Sequence, residues 1–311
     1  MQLIIRSDFM NSKFKLTIAV ITMNRAKQLL EALESCVLSK LPEDTEFVIV
    51  DNASTDDTKK VAEQFSSKIS NVRYEYLHEN LGVGGGRSYA FEMAQGEYVY
   101  FLDDDAVISD ESKDTFFTDT LNYLDKNKNV ASLTTRIYDE MLIYNREVDV
   151  SEKTKIDGLP IVFKYLGGSH FLRRSCFETP LYFDIKYGSE EYAPSIRVQD
   201  NGYFHVYDNH VVIIHKPKVN KWVDGTQEKE NILCCSTANI YATKRVLYPK
   251  IFALVLYMGF YRRCLKNLKQ YPGAKKRTLK MAKDVIKNNN AKRISFKTVI
   301  KLLKEFGITV L

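Results

Sequence analysis

EYVYFLDDDAVIS (97–109) sets three consecutive aspartates, Asp103, Asp104 and Asp105, directly after an apolar run that reads as a buried strand. Adjacent carboxylates repel one another, so a core strand ending this way needs a counter-charge. A divalent cation on hard carboxylate oxygens is the usual one, which makes the three a candidate metal site. A solvated acidic turn capping a helix would have the same composition, so the neighbouring sequence has to decide.

Working outward toward the N-terminus, LTIAVI (16–21), EFVIVD (46–51) and VRYEYL (72–77) alternate with helical stretches at 26–40, 56–65 and 85–94. The pattern predicts β-α-β-α-β-α-β. Near-continuous Val, Ile and Tyr fit a mostly parallel sheet covered by helices on both faces, with right-handed crossovers. Strand ends that lead into helices then gather on one rim, where ligands bind in open α/β sheets. ITMNR (21–25), VDNASTDD (50–57) and LDDD (102–105) meet there.

Asn24 could cap the helix from Ala26, and Ser54 or Thr55 the one from Asp56. Capping explains one polar residue per turn, whereas VDNASTDD spends five and puts Asp51 at the strand end, facing the crevice. The excess points to a ligand. In NLGVGGGRSYAF (80–91), glycines 82, 84, 85 and 86 stand just before a helix and Arg87 follows. This is neither a phosphate-loop nor a dinucleotide fingerprint. It allows close backbone approach, and Arg87 suits a diphosphate at a helix N-terminus.

TIAVITMNRAKQLLEAL, FVIVDNASTDDT, ENLGVGGGRSYAF and GEYVYFLDDDAVIS, in this order, resemble the nucleotide-sugar-binding half of family 2 glycosyltransferases of the GT-A fold. The likeness covers residues 15–110 and continues more loosely over 167–215, similar to the acceptor half of bacterial polysaccharide and rhamnosyl transferases. It implies a UDP- or dTDP-sugar donor held by the loops containing Thr22, Asn24, Arg25, Asn52, Ser54 and Gly82. Asp51 falls near the base, Asp103 near the ribose, and Asp105 on an Mn²⁺ or Mg²⁺ ion bridging the diphosphate. Asp104 is the variable middle residue of a D-x-D pattern.

The chemistry follows from the bonds involved. Expelling a nucleoside diphosphate develops negative charge that a metal and Arg87 can stabilise, and the acceptor hydroxyl needs a base on the other side. Glu190 and Glu191 are the candidates. Within the resemblance, KYGSEEYAPSIR (186–197) matches a G-E-D stretch and sets Glu191 at the catalytic base, with glutamate for the commoner aspartate and Ala193-Pro194 for an acid-Leu pair. Glu190 stays open as the alternative, and so does a solvated acidic turn opening a helix. His215 closes the strand-like VVIIH (211–215). By spacing alone it reads as structural, whereas the resemblance implies the metal shell or the diphosphate. His170 in GGSHF is expected at the acceptor pocket, with Gly167 and Gly168 letting the chain pass close to substrate.

A chain of 311 residues, 45% hydrophobic with 14 Gly and 7 Pro, suits one α/β domain with an accessory element. It carries no repeat, low-complexity tract or secretory signal. Five cysteines (36, 176, 234, 235, 264) without CxxC spacing indicate neither zinc nor a disulfide framework, and a reducing cytoplasm is expected. Residues 1–9 read as an extra strand or a ragged start. Residues 244–311 hold 18 Lys or Arg against Asp284 and Glu305, a net +16 within an overall +6, which leaves about −10 on residues 1–243. IFALVLYMGFYRR (251–263) is too short to span a bilayer. With the basic stretch behind it, it resembles an interfacial helix on anionic lipid, and a core-packed helix followed by a solvated basic one is an equal reading. Nucleic acid fits poorly, since aromatics are scarce after Tyr271.

The expected organisation is a GT-A catalytic domain over 1–220, with its donor half at 15–110 and acceptor half at 111–220, followed by a basic helical region at 221–311. The expected function is a metal-dependent, inverting glycosyltransferase of cell-envelope polysaccharide synthesis. It would act on a glycan or lipid-linked acceptor, peripherally on the inner face of the membrane, and its oligomeric state cannot be read. The alternatives are a nucleotidyl- or phosphotransferase, for which ITMNRAKQ lacks the phosphate loop, and a non-catalytic sugar-nucleotide-binding protein.

Overall fold

The computed structural model describes residues 12–311 except 186, 220, 222 and 224; the expectation for residues 1–9 lies outside these. The predicted alternation is present as β1 (Phe14–Thr22), α1 (Ala26–Val37), β2 (Thr45–Asp51), α2 (Thr58–Ser66), β3 (Val72–Tyr76), α3 (Gly82–Met93) and β4 (Gly96–Asp103). There follow β5 (Ala106–Ile108), α4 (Phe116–Lys126), β6 (Val130–Asp139), β7 (Tyr144–Asn145), β8 (Val150–Ile156), β9 (Leu159–Val162), β10 (Ser169–Arg173), α5 (Tyr192–Asp200) and β11 (Phe204–His215). The chain continues through α6 (Gln227–Leu247), α7 (Ala253–Asn267), α8 (Ala274–Asn288) and α9 (Phe296–Phe306).

The sheet runs β3-β2-β1-β4-β10-β6-β11-β9-β8. Its first four strands are parallel, as the apolar runs require, and β10 then enters antiparallel beside β4. Central strands are buried on both faces: every residue of β2 is buried. α1 closes one face with Leu29, Ala32, Leu33 and Cys36, spaced to form a single stripe. Tyr100 of β4 stacks on Phe171 at 4.4 Å between the rings of Phe116 and Phe117.

Register fixes the rim. Thr22 lies opposite Asp51, and Ile21 opposite Asp103, so three strand ends share one edge. On the other side β5 pairs with β11, setting His215 opposite Ala106 while the Lys216 N–H donates to the Asp105 carbonyl at 2.7 Å. A histidine 110 residues downstream thereby reaches the aspartate cluster.

The basic C-terminal region shares a core with the segment around α5. Phe183, Ile185, Ala193 and Ile196 pack with Val246, Leu247, Leu256, Val299 and Leu302. Lys244, buried in α6, donates to the carbonyl oxygens of Thr309 and Leu311 at 3.2 and 2.7 Å. Asp200 accepts from the Ser295 N–H and the Thr298 hydroxyl. No described helix is long and apolar enough to cross a membrane.

Candidate active site

A crevice of about 1140 Å³ opens on the rim. Thr22, Asn24, Arg25, Asn52, Gly82, Arg87, Asp103, Asp104, Asp105, Glu190, Glu191 and His215 line it, joined by Asp139 and Arg146. Asp51, Ser54 and His170 do not.

The counter-charge that the aspartate cluster needs is supplied by Arg25. Its Nη1 lies 2.7 Å from Oδ1 of Asp104 and 2.6 Å from Oδ2 of Asp105. Burial pushes the Asp104 carboxyl up to about 6 despite Arg25. Burial opposes the charge on Asp105 too, but the His215 hydrogen bond and Arg25 outweigh it and hold Asp105 below the usual carboxylate range. His215 bridges two carboxylates, with Nε2 3.3 Å from Oδ1 of Asp105 and Nδ1 2.9 Å from Oδ2 of Asp139. Burial lowers its pKa, yet the bond to Asp105 raises it above the ordinary value overall. Asp103, Asp105 and His215 each offer a ligand atom, all within 4.8 Å of one another. Two carboxylate oxygens and an imidazole suit Mn²⁺ or Mg²⁺, and Asp139 on Nδ1 leaves Nε2 to face the cation, the usual way a ligating histidine is oriented. The donor set fits a divalent ion.

Arg87 is committed to the protein. Nη2 donates to Oδ1 of Asp103 at 2.6 Å, Nη1 to Oε1 of Glu190 at 3.2 Å, and Oε1 of Glu191 lies 3.8 Å from Nη1. With the guanidinium buried, its expected role against a diphosphate gives way to a strut between the aspartate cluster and the glutamate pair. The pair is no solvated turn: Glu190 and Glu191 are 4% and 8% exposed. Burial, reinforced by Glu191, pushes Glu190 up to about 7 against the pull of Arg87. Gly188 and Ser189 ahead of them are left-handed, at φ 86° and 64°. Asn239 of α6 donates to the carbonyls of Tyr187 and Gly188 at 2.9 and 2.7 Å, and Ser236 meets Ser189 hydroxyl to hydroxyl at 2.8 Å.

Several expectations are corrected. Glycines 84, 85 and 86 lie inside α3, which begins at Gly82. A Cβ on Gly84 would stand 2.6 Å from the Ile185 carbonyl oxygen, so the close approach is to protein, not to an anion. The same holds for Gly167, whose Cβ would meet Oε1 of Glu191 at 2.2 Å, and for Gly168, whose Cβ would meet Oδ2 of Asp103 at 3.0 Å. His170 is in the core, stacked on Phe101 and Tyr165, because β10 lies between β4 and β6 and all five of its residues are buried. Asp51 is fully buried and does not face the crevice; its oxygens accept from the Ser54 N–H and the Tyr74 hydroxyl at 2.8 and 2.7 Å. Asn24, at φ 54°, caps neither helix and receives the Thr55 N–H, tying two rim loops together. Asp56 instead accepts from Ala26 N–H at the start of α1 and from Thr58 N–H. Asn52 clamps the start of α3 through Leu81 N–H and the Gly82 carbonyl.

Sequence reasoning missed Asp139 and Arg146. Arg146 reaches into the crevice with its Nη2 4.0 Å from Oδ2 of Asp139, the looser of the cationic contacts there. An acid ending the apolar-rich strand ASLTTRIYD (131–139) was the available signal for Asp139.

The family profile described as "Glycosyl transferase family 2" matches residues 17–179, more than half of the chain. The poly(ribitol-phosphate) beta-N-acetylglucosaminyltransferase TarS of Staphylococcus aureus is 37% identical over 101 residues, 32% of this chain and 17% of its own length. A GalNAc(5)-diNAcBac-PP-undecaprenol beta-1,3-glucosyltransferase of Campylobacter jejuni is 34% identical over 93 residues, 29% of each chain. The matched stretch thus spans less than a third of either relative. A crystal structure of S. aureus TarS residues 1–349 with UDP-GlcNAc superposes with TM-score 0.62 at 18% identity, covering 88% of this chain and 81% of that one. GalNAc-T7 with UDP, GalNAc and Mn²⁺ gives TM-score 0.64 at 14% identity, covering 95% and 58%. These likenesses bear out the expected fold.

Proposed function

The chain belongs to glycosyl transferase family 2, and on that premise we propose that it transfers a sugar, with inversion, from a UDP- or dTDP-linked donor to a glycan or lipid-linked acceptor in cell-envelope polysaccharide synthesis. One observation carries the reading: a single crevice joins a metal-suited set, Asp103, Asp105 and His215, to a buried glutamate pair through Arg87. A bound Mn²⁺ or Mg²⁺ on that set would supply charge neutralisation at the leaving diphosphate. Glu191 takes the proton from the acceptor hydroxyl as its oxygen bonds to the anomeric carbon and the bond to the diphosphate breaks. Glu191 is preferred to Glu190 because Oε1 of Glu190 already accepts from Arg87 at 3.2 Å, whereas Glu191 stands at 3.8 Å. Arg87 then positions both ends of the site. Arg25, which now pairs with Asp104 and Asp105, and Arg146 would meet the diphosphate, and Thr22, Asn24 and Asn52 would shape the nucleoside end with Asp51 and Ser54 behind them.

In this reading residues 15–110 hold the donor, 111–220 the acceptor, and 221–311 brace them. A lipid-linked acceptor would be met at the inner membrane surface, and five cysteines that form no disulfide among the described residues suit that reducing side. The test is a panel of nucleotide sugars scored for nucleoside diphosphate release and transfer, with Mn²⁺, with Mg²⁺ and with chelator. UDP and manganese come first, since the neighbours carry them. Release that ignores metal would remove the cation from the reading, and silence across the panel would remove the activity.

A further inference from the structure

α7 has two apolar faces. Leu256, Phe260 and Cys264 form the buried one, against α6, where the Tyr241 and Phe260 rings lie 4.7 Å apart. Ile251, in the turn before the helix, then Leu254, Met258, Tyr261 and Leu265 follow at steps of three and four, which aligns them on one face. They are 76%, 72%, 62%, 41% and 54% exposed. Large aliphatic side chains repeated in a stripe on an otherwise polar surface mark a docking face.

The charge around the stripe selects its partner. Residues 250–287 hold 11 Lys or Arg and one acid, Asp284. The basic α8 abuts the stripe, with Nζ of Lys275 3.8 Å from the centre of the Tyr261 ring. A second copy docked two-fold through this face would bring the positive charge against itself. A polyanion such as RNA would neutralise the charge and leave the aliphatic stripe in water. An acidic lipid surface answers both, and the 15-residue helix suits lying in the interface, not crossing it.

We propose that α7 seats this protein on an anionic bilayer, with Ile251, Leu254, Met258 and Leu265 entering the acyl boundary and the cations of α7 and α8 on headgroups. The purpose, though not the binding, rests on the lipid-linked acceptor proposed above. α7 packs on α6, whose Asn239 holds the backbone ahead of Glu190 and Glu191, so the seated face is one helix from the glutamate pair.

Co-sedimentation of the full chain with phosphatidylcholine vesicles, with and without phosphatidylglycerol, tests it in the absence of any sugar donor, so it can fail independently of the transfer reading. Wild type should bind only the acidic vesicles and detach in high salt. Leu254→Ser with Met258→Ser, and separately Lys266→Glu with Lys269→Glu, should each weaken binding at least tenfold. All four side chains are exposed, so their replacement opens no core cavity, and melting temperature and donor turnover without vesicles should stay at wild-type values. Equal binding in the variants, or wild-type binding that ignores lipid charge, overturns the proposal. So does an apolar variant that turns a dimer into a monomer in sedimentation, since a second copy would then cover the face.

Discussion

Gly167→Ala separates folding from catalysis at the proposed base. The Gly167 backbone is not left-handed, so alanine adds no φ strain. Its Cβ, however, would stand 2.2 Å from Oε1 of Glu191 and 2.9 Å from Nη1 of Arg87, where ordinary contact begins at 3.4 Å. The Glu191 oxygen must therefore retreat by about 1.2 Å, the difference between 3.4 and 2.2 Å. The end of a glutamate can swing, and an off-rotamer turn costs about 1 kcal/mol, a modest loss of stability. For chemistry the same shift is large: a 1 Å misplacement of a reacting group costs on the order of 10² in rate. Folding should be nearly intact and transfer down about 100-fold, with donor affinity changed far less, because Nη1 of Arg87 must give by only a few tenths of an ångström while Nη2 keeps its bond to Asp103. Gly259→Ala, where the nearest atoms lie 3.7 Å away, is the control and should transfer at the wild-type rate. Steady-state transfer, nucleotide titration and thermal melting read the three quantities. A folded Gly167→Ala protein with wild-type turnover would refute the placement of Glu191 against the reacting hydroxyl.

Glu191→Gln should keep donor binding and lower transfer by roughly 10² to 10⁴, with Glu190→Gln doing less; the reverse ranking in folded proteins would move the base to Glu190. Asp105→Ala should abolish metal-supported nucleotide binding in calorimetry with Mn²⁺, and Asp139→Asn, acting through His215, should weaken it about 10- to 100-fold. Unchanged titrations would take each residue out of the metal shell and its support. Burial depresses the Lys244 ammonium to about 7 from an ordinary 10.5. The unfolded chain therefore binds that proton more readily, so the associated stability is complete above about pH 10.5 and lost as pH falls through about 7, by up to a few kcal/mol. Lys244→Met should compare better with wild type in melting temperature near pH 6.5 than near pH 9.5, and a pH-independent difference would acquit Lys244.

The fold of residues 15–110 was legible because its signals are local. Each strand is a short apolar run, each helix a single stripe, and each strand end carries polar residues that a parallel sheet delivers to one edge. Asp103, Asp105 and Asn52 were assigned to the crevice rim that way. What escaped depends on contacts distant in sequence. Asp139 matters only because β6 and β11 run side by side and bring it to His215, 76 residues on. GGSHF does not reveal that its histidine points inward, nor do the glycines of α3 reveal that their neighbour is the Ile185 carbonyl instead of a phosphate. Arg87 reads as a ligand for anions from sequence, and only the fold shows that three carboxylates of the protein already surround it. The C-terminal helices gave a charge signal that says nothing of their second, buried face.

The backbone preceding Glu190 and Glu191 is held in left-handed turns by Asn239 and Ser236 of α6. Translation delivers these parts in a particular order. The parallel strands with Asp51 and Asp103, and then the glutamates themselves, emerge from the ribosome well before α6, and such halves tend to fold as they appear. On the proposed reading, a nascent chain could thus acquire a place for a sugar nucleotide while Glu190 and Glu191 are still unsecured. On that reading, transfer would wait until the helix that braces the glutamates has been made.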